Sequence, residues 1–161
     1  MIREVCVRDA QEIVDIYNYY IENTNITFEE SILSAEDMKQ RIEEKLEHNN
    51  PWIVYEENGK VIGYAYLGTW RDRSAYRFSK ESSVYVKEDM KGNGIGTLLY
   101  KELIKLAKER GIHAIIASIT CPNELSFKLH EKLGFEKMAE YKEVGYKNDT
   151  WLDVAFYELL I

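Results

Sequence analysis

Along the chain, the spacing of apolar and polar positions changes between a strand-like period of two and a helix-like period near 3.6. "REVCV" reads as a short strand. Asp9 followed by Glu12 gives a capping-box start to a helix that puts Ile13, Ile16, Tyr17 and Tyr20 on one face and ends near Asn23. Ser34 and Asp37 repeat that start signal for "AEDMKQRIEEKLEHNN", where Met38, Ile42 and Leu46 form the apolar stripe and the charged residues a solvated face. "WIVYE", Asn58-Gly59 and "KVIGYAYLGTW" predict a hairpin, because Asn-Gly supplies the two positive φ angles of a type I′ turn. A loop rich in arginine and aromatic residues leads to the strand "SSVYV". A turn holding Gly92, Gly94 and Gly96 and a helix from about Thr97 to Arg110 follow, with Gly111 at the position just past the helix end. "AIIASIT" is a continuous apolar strand. "NELSFKLHEKL" is a last helix that stops at Gly134, with Leu125, Leu129 and Leu133 expected on its buried face, and the tail folds as two strands around Asn148 and Asp149.

The strand, helix, strand order around the glycine turn requires a right-handed crossover and therefore one parallel pair in an otherwise antiparallel sheet. The predicted class is α+β, or mixed α/β, in one domain spanning residues 1–161 without a repeat or a Pro/Ser-rich linker. A hydrophobic content of 45% over 161 residues suffices for a single core. A net charge of −7 and the absence of any long Lys/Arg block argue against nucleic acid as a partner. No run approaches the roughly 18 apolar residues of a membrane span, and the charged N-terminus is unlike a signal peptide, so a cytoplasmic protein away from membranes is expected. Cys6 and Cys121 lie far apart without metal-ligand spacing, so neither a disulfide nor a metal site is expected; both read as buried small hydrophobes.

"KGNGIG" is neither the dinucleotide fingerprint nor a P-loop. Lacking side chains between a strand and a helix N-terminus, it serves either as a plain tight turn or as a cradle in which backbone N–H groups and the helix dipole face an anion such as pyrophosphate. Asn123, Ser126 and His130, at offsets of zero, three and seven, share one helix face that can reach a ligand, although an asparagine there is equally a helix cap.

Beyond these patterns, "VYVKEDMKGNGIGTLLYKELI" and "PNELSFKLHEKLGF" resemble the GCN5-related N-acetyltransferase (GNAT) family. "ESSVYV", "CPNELSFKLHEKLGF" and "TWLDVAFYELLI" resemble its phosphinothricin and methionine sulfoximine acetyltransferase branch, and the resemblance runs from Arg3 onward. It implies the acyl-CoA N-acyltransferase fold and acetyl-CoA as cofactor, with no metal. The family signature Q/R-x-x-G-x-G/A falls on Lys91, Gly94 and Gly96, with lysine where a planar fork is usual. The pyrophosphate cradle it implies runs through Lys91, Gly92, Asn93, Gly94, Ile95, Gly96 and Thr97. Val84, Tyr85 and Val86 match the segment whose backbone pairs with the pantetheine arm, and Asn123 and Ser126 match further cofactor contacts. Glu81 matches the branch's catalytic glutamate, the base that must free an attacking amine of its proton. His130 stands where many members carry a tyrosine thought to protonate the departing thiolate; the alternative is a structural histidine. In "WRDRSAYRFSK", Arg71, Arg73 and Arg77 alternate with Trp70, Tyr76 and Phe78, a mixture able to clamp a carboxylate and wall off the rest, and Phe28 and Glu30 match a loop that closes over the acceptor. The implied reaction is acetylation of a small amino acid analogue by direct attack in a homodimer. A protein N-terminus or polyamine acceptor, or a non-catalytic acyl-CoA sensor, remain as alternatives, and the three arginines weigh against a cationic acceptor.

Overall fold

The computed structural model describes residues Met1–Ile161. Its strands are β1 (Ile2–Glu4), β2 (Trp52–Glu57), β3 (Lys60–Thr69), β4 (Ser79–Val86), β5 (Ala114–Thr120), β6 (Glu136–Lys147) and β7 (Thr150–Leu160). The helices are α1 (Ala10–Asn23), α2 (Ala35–Glu47), α3 (Ile95–Glu109) and α4 (Glu124–Lys132). The strands form one sheet in the order β1-β2-β3-β4-β5-β7-β6, antiparallel throughout except for β4 and β5. Asn58 and Gly59, with φ of 52° and 75°, close the β2–β3 hairpin as their sequence predicts.

The central strands are apolar on both faces, and a pair of helices covers each face of the sheet. Ile95, Leu99, Leu103 and Ala107 of α3 pack on Ala65, Leu67, Ile115 and Ala117. Ile13, Val14 and Tyr17 of α1 and Ile42 of α2 pack on Trp52, Val54 and Tyr64. Each fully buried Leu or Ile contributes about 1.5–3 kcal/mol, so both layers help to hold the sheet between them.

The feature that makes a site is a fork. The parallel ladder has only three rungs, Ser79 with Ala114, Lys80 with Ile115 and Glu81 with Ile116. Beyond Glu81, β4 follows β3 as far as Val86, whereas β5 follows β7 as far as Thr120. The two strands part, and the β5-facing edge of β4 is left without a strand partner from Ser82 to Val86.

Several local expectations are corrected. The first strand is shorter than "REVCV". Asp9 does not form a box with Glu12: its carboxylate accepts from Arg3 (2.8 and 2.9 Å) and from the Cys6 amide (2.9 Å), so the box sits one turn earlier, around the 3-10 turn Val7–Asp9. Burial alone would push the Asp9 carboxyl up, yet Arg3 and Cys6 hold it below the usual range. Glu12 instead caps the Val61 amide. The Ser34/Asp37 box is present as expected. Leu46 and Leu125 are exposed, at 42% and 79%. In α4 Ser126, Phe127, His130 and Leu133 turn inward together with Leu129, so of the three expected leucines only Leu125 points to solvent. Both cysteines are half-buried rather than core.

Candidate active site

The glycine turn leads straight into α3. Gly92 and Gly94 have φ of +81° and +78°, a region that side-chain-bearing residues rarely adopt, and a Cβ at either would meet nothing within 4 Å. The loop is held from below by Ile95, whose side chain is buried among the α3 core residues. None of the amides from Gly92 to Thr97 donates to a protein acceptor; the first helical bond is Leu98 N–H to Gly94 O at 3.0 Å. These open amides at the positive end of a helix dipole are an anion site by construction. Asn93 is turned back on Met90 O (3.2 Å). Lys91 pairs with Glu88 and lies over the Tyr20 ring, 4.8 Å from its centroid. Burial works against the Lys91 ammonium, but Glu88 keeps its pKa raised.

On the fork's β4 prong, Val84 and Val86 face the α3 layer. Tyr85 faces the α1/α2 layer among the rings of Tyr17 (5.1 Å), Tyr20 (5.1 Å) and Tyr64 (5.4 Å). Tyr20 Oη donates to Val86 O at 2.5 Å, which fixes the end of the prong. By alternation Glu81 shares the face of Tyr85. Ser118, on the opposite prong, donates to Glu81 Oε1 at 2.5 Å.

Asn123 is the α4 cap, accepting from Ser126 N–H at 3.2 Å. His130 is buried. Its Nδ1 lies 2.6 Å from Ser126 O, an oxygen that can only accept, and 3.3 Å from Ser126 Oγ. The ring proton therefore sits on Nδ1, and Nε2 accepts from Tyr100 Oη at 2.7 Å. Tyr100 in turn accepts from Ser82 Oγ at 2.5 Å. Burial pushes the imidazole below its ordinary pKa and the Tyr100 phenol well above its own, so both are neutral near pH 7. A directed chain thus runs from the β4 prong through α3 into α4.

The α1/α2 face carries the other half of the site. The ring of Phe28 lies over Gly145, where a Cβ would collide with it. Lys147, 2% exposed, donates to Ile21 O, Thr24 O and Thr27 O, each at 2.9 Å, and so ties the β6 end to the loop after α1. Glu30 is exposed and unpaired; its neighbour Glu29 binds Arg41 (2.9 and 2.5 Å) and Tyr17 Oη. Arg71, Arg73, Tyr76, Arg77 and Phe78 are all exposed on the loop before β4. Arg71 stacks on Trp70 (5.3 Å) and Arg77 on Phe78 (4.4 Å), and none of the three arginines pairs with a carboxylate. A cavity of about 210 Å³ opens between α2 and the sheet, lined in part by Tyr17, Arg41, Lys45, Trp52 and Tyr66. Ser118, Ser82, Tyr100, Glu29, Arg41, Lys45 and Lys147 are not distinguished by sequence spacing. Each acquires its partner only across elements.

An open-amide cradle, a forked parallel pair and a carboxylate at the fork's tip occur here in one chain. A family model described as an acetyltransferase (GNAT) domain matches residues 2–156. The chain belongs to the GNAT acetyltransferase family. Among other members, it is 35% identical over 157 residues to a phosphinothricin N-acetyltransferase of Streptomyces viridochromogenes, covering 98% of this chain and 85% of that protein. It is 35% identical over 159 residues to an L-methionine sulfoximine/L-methionine sulfone acetyltransferase of Pseudomonas aeruginosa, covering 98% and 92%. In structure it is similar to a GNAT superfamily phosphinothricin acetyltransferase of Sinorhizobium meliloti solved in complex with acetyl-CoA. The TM-score is 0.96 at 35% identity, covering 100% of this chain and 88% of that one. The expected fold, with its single parallel β4–β5 pair, is therefore the GNAT fold, and this chain is an N-acetyltransferase of that family.

Proposed function

We propose that this GNAT enzyme acetylates the α-amine of a small amino acid analogue, of the phosphinothricin, methionine sulfoximine or methionine sulfone type, by direct attack with Glu81 as general base. The reading rests on the position of Glu81 at the last rung of the parallel ladder, where the two strands part. The relatives' substrates and the acetyl-CoA in the similar structure support it.

The residues present fit acetyl-CoA. The unpaired amides of residues 92–97 suit its pyrophosphate, with Gly92 and Gly94 leaving the approach open. The free edge of Val84, Tyr85 and Val86 suits the amide-bearing pantetheine arm, and Ser126 and Asn123 border it from α4. When bound, acetyl-CoA supplies the activated acetyl carbonyl. Glu81, fixed by Ser118 through one oxygen, keeps the other to take a proton from the acceptor ammonium, directly or through water. His130 has its only proton turned to Ser126 O, so its part is to lock the α4 wall through Tyr100 rather than to hand that proton toward the fork. The Cys121 thiol hydrogen-bonds only to a backbone carbonyl, Ile119 O, and burial raises its pKa, so attack is direct with no acyl-enzyme. Phe28 and Glu30 on one side and Arg71, Arg73, Tyr76, Arg77 and Phe78 on the other form the rim through which the acceptor arrives. No helix is long and apolar enough to cross a membrane, and we place the enzyme in the cytoplasm. Met138, Tyr146 and Trp151 are exposed on the β6–β7 hairpin, and that face suits a homodimer.

Thiol release should be followed with methionine sulfoximine, phosphinothricin and a polyamine. The two amino acid analogues are expected to turn over and the polyamine not. Glu81→Gln is expected to lower kcat/KM by about 10²–10⁴-fold with acetyl-CoA binding retained. A Glu81→Gln enzyme as fast as its parent removes the base assignment. Turnover of the polyamine alone removes the acceptor assignment.

A further inference from the structure

Lys45 is a cation that forms no ion pair. It projects from α2, half-buried, and pairs with no carboxylate; its Nζ lies 5.0 Å from the centroid of the Tyr66 ring. The neighbouring cation, Arg41, is already engaged by Glu29. The same cavity wall carries Trp52, stacked on Tyr66 at 4.5 Å, whose buried Nε1–H has no acceptor.

The strand register fixes where this ammonium stands. A Cβ built on Gly68 would lie 3.6 Å from Lys45 Nζ, and Gly68 is the β3 partner of Glu81. Directly opposed residues in an antiparallel pair have Cβ positions about 5 Å apart on the same face of the sheet. Lys45 therefore stands over the rung that carries the proposed base, at the end of the aromatic cavity nearest the fork.

The geometry points to Lys45 as the residue that binds the α-carboxylate of the acceptor, setting the enzyme's specificity for free amino acids over amines. This rests on the acceptor reading above. In an α-amino acid the nitrogen and the carboxylate leave the same carbon, so a cation one rung's width from Glu81 can hold the carboxylate while the amine faces Glu81. The rings of Tyr66, Trp52 and Tyr17 then wall the cavity beside the α-carbon. The exposed arginines of residues 71–77 are left for oxygens at the far end of the acceptor side chain. Burial pushes the Lys45 ammonium below its ordinary pKa, with Glu44 and Glu81 acting to raise it and Arg41 and Lys80 to lower it. An anion at Nζ relieves that cost.

The test compares kcat/KM for L-methionine sulfone with that for its primary carboxamide, an isostere without the negative charge. The parent enzyme is expected to prefer the acid by about 10-fold or more, the worth of one hydrogen bond to a charged group. Lys45→Met and Lys45→Gln are expected to abolish that preference, and Lys45→Arg to keep part of it, each with the KM for acetyl-CoA unchanged as proof of an intact fold and cradle. A full preference for the acid in both Lys45→Met and Lys45→Gln, or its loss in Arg73→Met instead, overturns the assignment. A parent enzyme that acetylates the acid and its amide equally well also overturns it and leaves the acetylation reading standing. Failure to acetylate either compound, or methionine sulfoximine or phosphinothricin, refutes the acceptor reading itself and this inference with it.

Discussion

Ser118 Oγ donates to Glu81 Oε1 at 2.5 Å, joining the two prongs of the fork just past their last shared rung. The bond leaves one carboxylate oxygen fixed and the other free, the arrangement a positioned base requires. Replacing Ser118 by alanine leaves the fold intact, since the side chain is exposed. It is expected to lower kcat about 10-fold with little change in KM for acetyl-CoA, the scale of one hydrogen bond to a charged group. Steady-state kinetics with one acceptor decide it, and an unaltered kcat means that Glu81 needs no such support.

The cradle depends on a backbone that only glycine adopts freely. Gly94→Val combines strain at φ +78° with a branched side chain in the space an anion would occupy. Calorimetric titration is expected to show coenzyme A binding weakened at least about 10-fold, against a melting temperature lowered by only a few degrees. Equal affinity in the variant means that the pyrophosphate lies elsewhere.

Lys147 is the tie between the last hairpin and the acceptor loop. Lys147→Met removes three donors from Ile21 O, Thr24 O and Thr27 O and leaves those carbonyls short of partners. A loss of about 2–4 kcal/mol in denaturant unfolding is expected, together with a raised acceptor KM. Gly145→Ala acts on the same loop from the other side by displacing Phe28. It should raise the acceptor KM while leaving the KM for acetyl-CoA alone.

His130 makes stability depend on pH. Its folded-state pKa lies below the unfolded value near 6.5, so the unfolded chain binds a proton that the native chain resists. Stability from the neutral ring is fully present above about pH 6.5 and is lost as pH falls from there through the lower folded-state pKa. His130→Gln, which keeps an acceptor and a donor, is expected to flatten the decline in melting temperature between about pH 7 and 5. Asp9 acts in a separate, more acid window, because its folded pKa is depressed and its contribution disappears only as pH falls below the ordinary carboxylate range. A His130→Gln protein with the same slope as its parent would show that another group carries it.

Much of this protein could be read along the chain because the relevant interactions are local. Asn58-Gly59 dictated its own turn, Ser34 and Asp37 their own helix start, and Gly92 and Gly94 a backbone that side chains would forbid; the crossover rule then required the one parallel pair. Those are effects of residues within a few positions of one another. Asp9 shows where such reading fails: its capping box with Glu12 was a sound local pattern, but Arg3 and Cys6 took the carboxylate first. Leu125 fails similarly: a four-residue leucine spacing put it on the buried face with Leu129 and Leu133, which do pack on the core, but packing of Phe127 and His130 against Tyr157 and Tyr100 centres the buried stripe away from it.

The order of elements, the sheet's single parallel pair and the open-amide turn belong to the sequence itself, because steric limits on φ and ψ and hydrophobic periodicity act over short stretches. The tertiary structure alone decided that Ser118 would hold Glu81, that Ser82 and Tyr100 would line up on the unprotonated nitrogen of His130, and that Lys45 would stand unpaired above the base. Electrostatic and hydrogen-bond partnerships depend on distances of a few ångströms between residues tens of positions apart, and only the assembled sheet and its two helical layers set those distances.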